Sequence, residues 1–348
     1  MRVREKTVTA RVKPTDPVLI TGATGFIGFH AAKQLCAEGR PVRVLVRDAE
    51  KAARVLAPIG IDPSATIVGD MTDTEAVRRA LEGCTGVLHT AASVSVTRGQ
   101  ADFPENLRGT QAVIGQACEQ GIYAIFVSSV TAIFDPTRPI TADAPLVRSR
   151  TQYGRSKAEC DAWVRKRQAA GAPIAIVYPP GVVGPDDPGF SESVKVYRSF
   201  LRSTLQSEGG NQLLDVRDLA LLFARMLDAE TCGRLIAAGH YFDWDGFTAL
   251  LESATGAQIS RVRAPGWVLR GTARAMDVAA ALLRKPMPMT GEGIEIATRF
   301  PRMLDSPEIE ELGLHWRSAR ETIEDLFRWY LEAGKLPAKA VPALANSD

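Results

Sequence analysis

The sequence predicts an α/β protein whose centre is a doubly wound parallel sheet. Short apolar runs rich in β-branched residues alternate with helical patterns between Val18 and Tyr178, as expected for parallel strands joined by helices. A glycine-rich turn joins the first apolar run to the first helical pattern. The chain has 348 residues, of which 45% are apolar and 24% are charged. This is enough for such a sheet and a smaller second lobe.

The first predicted strand, Val18–Ile20, leads into a turn in which Gly22, Gly25 and Gly28 lie three residues apart. Glycines in such a turn let backbone N–H groups approach a pyrophosphate, and the N-terminus of the following helix favours an anion. The spacing differs from the Gly-x-Gly-x-x-Gly of the standard dinucleotide fingerprint, so an ordinary tight turn is the alternative. The residues predicted to contact a dinucleotide here are Gly22, Thr24, Gly25, Phe26, Ile27 and Gly28.

The second predicted strand, Val42–Val46, is followed directly by Arg47 and Asp48. An acidic residue at this point binds the ribose 2′-hydroxyl of NAD, whereas a cation pairs with the 2′-phosphate of NADP. Arg47 therefore predicts NADP(H) as the preferred cofactor, with NAD(H) as the alternative. The competing interpretation is a solvent-exposed arginine, because Asp48 is its neighbour.

The third and fourth predicted strands also end in residues suited to a cofactor. Asp70 ends the run Ala65–Asp70, where it either meets the adenine amino group, beside Met71, or caps a helix. The run Gly86–His89 leads into small residues, which leave room for a ligand at the carboxyl edge of a sheet. His89 itself is interpreted as a packed core histidine. The small residues are Thr90, Ala91 and Ala92.

The fifth predicted strand, Tyr123–Val127, ends in two serines, and a helical pattern downstream contains Tyr153 and Lys157. Residues four apart share one face of a helix. An ammonium group beside a phenol favours the phenolate, so Tyr153 is a candidate general acid or base. The Ser129 hydroxyl at the strand end is a candidate for binding the same substrate oxygen. The alternative is a solvent-exposed helix pair with no chemical role.

With these residues assembled, residues 17 to 330 resemble the extended short-chain dehydrogenase/reductase family, the NAD(P)-dependent epimerase/dehydratase group. The segment Ser128–Pro136 is similar to the Ser-Ser-x-x-Ala-Val-Tyr run of the dihydroflavonol and cinnamoyl-CoA reductase branch. That register places the active hydroxyl on Ser129. An epimerase-like register places Val130 there, with Thr131 as the nearest substitute. The resemblance implies a Rossmann fold with a smaller mixed substrate-binding lobe.

The resemblance also assigns roles within the site. It implies a catalytic set of Ser129, Tyr153 and Lys157. Asn106, which precedes a Gly-Thr pair, would support a water beside Lys157. The turn after the sixth strand would lie over the nicotinamide, and Tyr178 stands at that strand end where the family often has an arginine. The further cofactor contacts implied by the resemblance are Tyr153, Lys157, Pro180, Val182 and Val183.

For activity, the resemblance implies an NADPH-dependent oxidoreductase that reduces a carbonyl group of a small organic substrate, or oxidises the corresponding alcohol. An NAD-dependent nucleotide-sugar epimerase or dehydratase is the first alternative. Dehydratases of the family usually carry Thr-Asp-Glu where this chain has Ser129–Thr131, a run without an acid. A hydroxysteroid dehydrogenase is the second alternative, and a non-catalytic NADPH-binding protein is the third.

We expect the chain to fold into two interleaved lobes. The dinucleotide-binding lobe comprises residues 14–183 and about 214–238. The substrate-binding lobe comprises residues 184–213, with a helix near 194–205, and residues 239–335.

Three further segments carry separate expectations. Residues 1–13 and 336–348 are expected to be loose. The apolar, arginine-flanked segment 267–283 is interpreted as a lid or dimer helix, with a membrane-surface helix as the alternative.

Composition narrows the partners and the compartment. The formal net charge of +2 produces little long-range field, so nucleic acid is not expected as a partner. Five scattered cysteines without a Cys-x-x-Cys pair indicate reduced thiols in the cytoplasm, and neither a disulfide framework nor a metal site. The sequence contains no apolar run long enough to span a bilayer and no signal-peptide pattern. A small-molecule substrate is the expected partner, with a homodimer as a further option.

Overall fold

The computed structural model describes residues 12–92, 104–149, 152–283 and 291–345. In chain order the strands are β1 (Val18–Thr21), β2 (Val42–Val46), β3 (Thr66–Val68), β4 (Gly86–His89), β5 (Tyr123–Val127), β6 (Ile174–Tyr178), β7 (Gly181–Val183), β8 (Ser203–Gln206), β9 (Gly210–Asp215), β10 (Gly233–Ile236), β11 (His240–Asp243) and β12 (Ser260–Arg263). The α-helices are α1 (Phe26–Ala37), α2 (Ala49–Leu56), α3 (Thr74–Leu81), α4 (Pro104–Glu119), α5 (Gln152–Ala169), α6 (Glu192–Phe200), α7 (Val216–Ala229), α8 (Trp244–Thr255), α9 (Gly266–Leu283), α10 (Gly291–Arg299), α11 (Glu308–Glu311), α12 (Ala319–Glu332) and α13 (Pro342–Ala345).

The central sheet has seven strands in the order β3-β2-β1-β4-β5-β6-β10, and every neighbouring pair is parallel. Strands β1, β4, β5 and β6 are buried along their whole length, as expected when helices cover both faces of a sheet. One apolar cluster contains side chains of α1 and α7, and another contains those of α3, α4 and α5. The predicted doubly wound α/β fold is thus confirmed.

The strand order reverses between β1 and β4, which lie side by side although β2 and β3 intervene in the chain. In doubly wound sheets, ligands bind beyond the carboxyl ends of the strands at such a reversal. The glycine turn after β1 and the small residues after β4 therefore meet at the place where this architecture binds a nucleotide.

The smaller lobe contains a mixed three-stranded sheet, β11-β9-β7, and a parallel pair, β12-β8. The helix expected near residues 194–205 ends earlier, at Phe200, and the chain continues as β8. Within β8, Thr204 is buried and its hydroxyl hydrogen-bonds the Thr248 hydroxyl of α8 at 2.7 Å. This tertiary contact, which local sequence does not reveal, holds the segment extended. Residues 181–183 likewise pair with β9 and so join the small sheet.

The expectation of a loose C-terminal segment is wrong for residues 336–345. Helix α13 packs against α8, α12 and a 3₁₀ turn, Ala338–Ala340. Leu336, Val341 and Leu344 are buried there. Three apolar side chains cover the lobe core, and their burial outweighs the weak local preference of an Ala/Pro-rich segment for order.

At the N-terminus, residues 1–11 lie outside the described ranges. The expectation that they are loose therefore stays a prediction. Val12 is buried, and its backbone N–H donates to the Glu230 carboxylate. The leader segment is therefore anchored from Val12 onward.

The described residues were compared with what a membrane span, a metal cluster or a disulfide would require. None of the helices described is both long and apolar enough to cross a membrane. Among the same residues, no three His, Cys, Asp or Glu side chains converge as a metal cluster would require. The five cysteines are all free thiols, of which Cys84 and Cys160 are buried.

Candidate active site

The glycine turn after β1 is built for close approach of backbone. Gly22 has φ of 79°, a left-handed conformation that favours glycine, and a Cβ there would lie 2.8 Å from the Ala91 nitrogen. A Cβ on Gly28 would collide with the Gly22 carbonyl oxygen. Gly25 is the N-cap residue of α1. At these glycine positions the turn therefore brings backbone without side chains directly in front of the N-terminus of α1, as a glycine cradle.

A groove of about 270 Å³ opens in front of this cradle, at the carboxyl edge of the central sheet. The predicted cofactor residues that line it are Gly22, Thr24, Gly25, Arg47, Asp70, Met71, Thr90, Ala91 and Ala92. The predicted residues Phe26, Ile27 and Gly28 form the first turn of α1 behind it. A helix N-terminus and a cradle of glycines fit the pyrophosphate of a dinucleotide. Further groove residues that sequence reasoning missed are Thr21, Leu45, Val46, Lys51 and Gly69.

Two cations, Arg47 and Lys51, line the end of the groove that follows β2. The neighbouring carboxylate of Asp48 is used as the N-cap of α2, where it accepts a hydrogen bond from the Lys51 backbone N–H at 2.9 Å. The Asp48 carboxylate is therefore bound at the helix cap, and the charged residues that line the groove at this end, Arg47 and Lys51, are positive. The signal that could have identified Lys51 is its position in the first turn of the helix that directly follows Arg47 and Asp48.

Asp70 lines the groove from the end of β3. Its Oδ1 accepts hydrogen bonds from the backbone N–H and the hydroxyl of Thr72, at 2.8 and 2.7 Å. Partial burial acts to raise the pKa of Asp70, but the Thr72 hydrogen bonds and the positive charges of Arg47 and Arg108 hold it below its ordinary value. The helix α3 is capped by Asp73 instead. An ionised Asp70 is therefore available to accept from an amino group in the groove.

His89, the last residue of β4, is a structural residue. Its Nδ1 hydrogen-bonds the Thr21 hydroxyl at 2.7 Å, and its Nε2 hydrogen-bonds the Thr110 hydroxyl at 3.1 Å. Complete burial lowers the pKa of His89 to about 3, and the nearby charge of Lys157 acts in the same direction. The Thr90 hydroxyl donates to the Thr21 carbonyl at 2.8 Å. These contacts fix the small residues after β4 against the glycine turn.

Ser129 follows the carboxyl end of β5 and caps the short 3₁₀ turn Val130–Ala132. Its Oγ accepts hydrogen bonds from the Thr131 backbone N–H at 3.2 Å and the Thr131 hydroxyl at 3.0 Å. Both contacts use the oxygen as acceptor, so the Ser129 hydroxyl hydrogen is left to donate to another group. The Ser128 hydroxyl instead donates to the buried Asp161 carboxylate at 2.6 Å, and Val130 is buried.

Lys157 lies at the same strand end as Ser129. It is 7% exposed, and its Nζ donates to the carbonyl of Val127, the last residue of β5, at 3.2 Å. The alternative of a solvent-exposed lysine therefore does not describe it. Tyr153 is half-buried one helical turn earlier on α5. The Asn106 side-chain amide donates to the Ser156 hydroxyl, next to Lys157, at 3.0 Å.

The chain beyond β6 differs from a simple outward turn. Half-buried Pro180 leads into β7, where Val182 and Val183 are buried in the small sheet. Tyr178 is fully buried behind this turn, and its hydroxyl accepts from Arg165 Nη2 at 2.9 Å. Arg165, which lies on α5, therefore places a cation behind this turn. Pro180, Val182 and Val183 do not line the described groove, and their nicotinamide contacts stay a prediction.

The chain matches a family of known proteins along much of its length. Residues 18–239 match the model of a family described as NAD dependent epimerase/dehydratase. A Synechocystis sp. protein named as a dihydroflavonol 4-reductase is 28% identical over 335 residues, which cover 92% of this chain and 96% of the relative. Cinnamoyl-CoA reductase 1 of Arabidopsis thaliana is 25% identical over 339 residues, which cover 92% and 90%.

A solved structure has the same fold. The Bordetella bronchiseptica enzyme WbmH, in complex with NAD⁺, superimposes with a TM-score of 0.70 at 16% identity, over 91% of this chain and 99% of that one. The family match covers well over half of the chain, and it includes the glycine turn and the ends of β2, β3 and β4 that line the groove. The chain therefore belongs to the NAD-dependent epimerase/dehydratase family of enzymes.

Proposed function

We propose that the enzyme uses NADPH to reduce a carbonyl group of a small organic molecule, or oxidises the corresponding alcohol in reverse. The observation that carries the proposal is the meeting of Lys157 and Ser129 at the carboxyl end of β5. This point lies on the edge of the sheet that also carries the groove. Relatives named as a dihydroflavonol 4-reductase and a cinnamoyl-CoA reductase support reduction as the chemistry.

The residues of the groove fit a dinucleotide, and different residues would bind different parts of it. The glycine cradle and the N-terminus of α1 would hold the pyrophosphate. Asp70 would accept a hydrogen bond from the adenine amino group. Arg47 and Lys51 would pair with a 2′-phosphate, which is the basis for proposing NADPH. When bound, the reduced nicotinamide supplies a hydride to the substrate carbon.

The residues near β5 would handle the substrate oxygen and its proton. Ser129 donates a hydrogen bond to the carbonyl oxygen, because its own oxygen is occupied as an acceptor by Thr131. Tyr153 donates the proton to the oxygen as negative charge develops there. The Lys157 ammonium group stabilises the phenolate that remains. Asn106, bound to Ser156, supports a water that returns a proton from solvent.

The nucleotide-sugar epimerase alternative is less well supported by the side chains. Epimerases of the family retain NAD, whereas two cations line the ribose end of this groove. The turn Val130–Ala132 offers no carboxylate for the elimination that a dehydratase performs.

The direct test is an assay of NADPH and NADH oxidation with ketones, aldehydes, steroids and UDP-sugars. We expect turnover with a carbonyl compound and NADPH, and we expect Tyr153→Phe to lower kcat by a factor of about 100 or more, because the proton donor is removed. The dissociation constant for NADPH should change little in this variant, as the groove is untouched. A Tyr153→Phe enzyme with near-normal kcat, or turnover confined to UDP-sugars and NADH, would contradict the proposal.

A further inference from the structure

A buried set of polar side chains lies behind β5, and we name it the Asp161 network: Ser128, Asp161, Arg165 and Tyr178. Asp161 Oδ2 accepts from the Ser128 hydroxyl at 2.6 Å. Its Oδ1 accepts from Arg165 Nε at 2.7 Å and from the Tyr178 hydroxyl at 3.1 Å. Burial raises the pKa of the Tyr178 phenol far above its usual range, and Asp161 adds to this effect. The phenol therefore remains a hydrogen-bond donor.

The network connects the elements that carry the proposed catalytic groups. Asp161 lies one helical turn beyond Lys157 on α5, and Tyr178 is the last residue of β6. Arg165 Nη1 also donates to the Ala144 carbonyl at 3.0 Å. Ala144 belongs to the segment that follows the 3₁₀ turn. Val147, later in the same segment, lines a cavity of about 370 Å³ together with Thr131.

Ser128 is the member of the network that adjoins a catalytic residue. The backbone at Ser129 is extended, with φ of −154° and ψ of 147°. In extended chain, successive side chains point to opposite sides. Because Asp161 holds the Ser128 hydroxyl inward, Ser129 is turned to the other side, where it meets Thr131.

A buried carboxylate with three donors is more than packing requires. Burying charge costs free energy, and apolar residues of the same size often stabilise a core equally well. A fully satisfied buried network does, however, fix the relative position of the groups that form it. Its hydrogen bonds here join α5 to the ends of β5 and β6.

We infer that Asp161 is a positioning residue: by binding the Ser128 hydroxyl, it sets the distance between the Ser129 hydroxyl and the Tyr153 and Lys157 side chains presented by α5. The inference rests on the proposed function, because Ser129 matters only if it binds the substrate oxygen. Asp161 itself has no contact with substrate in this scheme. Its effect on turnover passes entirely through Ser129.

The test is a double-mutant cycle that pairs Ser128→Ala with Ser129→Ala. Ser128→Ala removes one hydroxyl and leaves Asp161 bound to Arg165 and Tyr178. We expect kcat to fall about tenfold in this variant, since misplacement by roughly 1 Å can cost up to about 100-fold, while KM for NADPH stays constant. When Ser129 is already alanine, the same substitution should lower kcat by less than about twofold, because the group being positioned is absent.

Tyr123→Phe is the matched control. The Tyr123 hydroxyl, at the opposite end of β5, donates to the Thr231 carbonyl at 2.6 Å. Its loss should lower the urea midpoint of unfolding about as much as Ser128→Ala does, because each variant loses one buried hydrogen bond, but it should not change kcat. Should Ser128→Ala fail to fold, Ser128→Cys replaces the hydroxyl that binds Asp161 by a weaker thiol donor at the same position and carries the same expectation.

The outcomes separate the inference from the proposed function. An equal fall in kcat in both backgrounds would overturn the positioning role and leave the serine, tyrosine and lysine assignment standing. Full turnover in Ser129→Ala would overturn the serine assignment and the inference with it. A wild-type enzyme that reduces no carbonyl compound would remove both. A fall in kcat on Ser128→Ala that occurs only when Ser129 is present supports both the positioning role and the proposed function.

Discussion

At the scale of single residues, neighbours in space decide which of two plausible roles a side chain takes. Arg47 and Asp48 are adjacent and opposite in charge, and the sequence supports both an NADP site and an NAD site. In the structure Asp48 caps α2, whereas Arg47 and Lys51 line the groove. The Asp48 carboxylate is bound at the helix cap, so Arg47 and Lys51 are the charged residues that line this end of the groove.

The cofactor preference can be tested at these two cations. We expect Arg47→Ala and Lys51→Ala each to raise the dissociation constant for NADPH by about 10-fold to 100-fold, because a charge-assisted contact of about 1.5–3 kcal/mol is lost. Affinity for NADH should change little in both. Arg54→Ala, which alters an exposed cation on α2 outside the groove, is the control. Equal weakening of NADPH and NADH in titrations would refute the assignment.

His89 shows how burial can dominate an ionisable group. The unfolded chain protonates this histidine below about pH 6.5, whereas the folded chain does so only near pH 3. The folded state therefore benefits fully above pH 6.5 and loses that benefit as the pH falls towards 3. His30, whose pKa is also lowered by burial, contributes in the same direction.

This titration predicts a measurable acid sensitivity. Between pH 7 and pH 5, His89 should reduce the free energy of unfolding by about 2 kcal/mol. Urea unfolding of the wild-type protein and of His89→Gln at the two pH values isolates its contribution, because His30 and the carboxylates are common to both. The variant should be less stable at pH 7 and less sensitive to pH. Parallel pH dependence in the two proteins would show that His89 titrates normally.

At the scale of elements, local patterns predicted the regular parts of the fold and missed those held by distant contacts. Ser318 is the N-cap of α12, and its hydroxyl accepts from the Glu321 backbone N–H at 3.1 Å, a local contact that the Ser-x-x-Glu pattern indicates. Strand β8 and helix α13 were missed, because a buried hydroxyl pair stabilises one and burial against α8 and α12 stabilises the other. Neither partner can be located from the adjoining sequence.

The packing of α13 leads to a stability prediction. Val341, immediately before this helix, is fully buried. Val341→Ala should lower the free energy of unfolding by about 1–3 kcal/mol, as expected when buried methyl groups are removed and a cavity remains. Val196→Ala, at a position that is 45% exposed on α6, should change it by less than about 0.5 kcal/mol. Unaltered unfolding of Val341→Ala in urea would mean that the segment does not contribute to the core.

At the scale of the whole molecule, topology explains which parts of the site could be predicted. Most predicted cofactor residues follow the ends of β1 to β4, and parallel strands bring such ends to one edge in an order that the sequence reveals. Lys51 and the Asp161 network escaped prediction because they depend on how helices pack behind that edge. Substrate specificity escaped for the same reason, since it draws on residues from separate parts of the chain.

The crossing of the chain between the two lobes restricts how the molecule could be recombined. Strand β7 leaves the central sheet only two residues after β6 and pairs with β9, and the chain later returns to complete the central sheet with β10. A fragment that stops after β7 would lack both partners. Engineering a new specificity by grafting the smaller lobe of a relative as a cassette would therefore cut through hydrogen-bonded strands, and point substitutions within the existing scaffold are the route that the architecture permits.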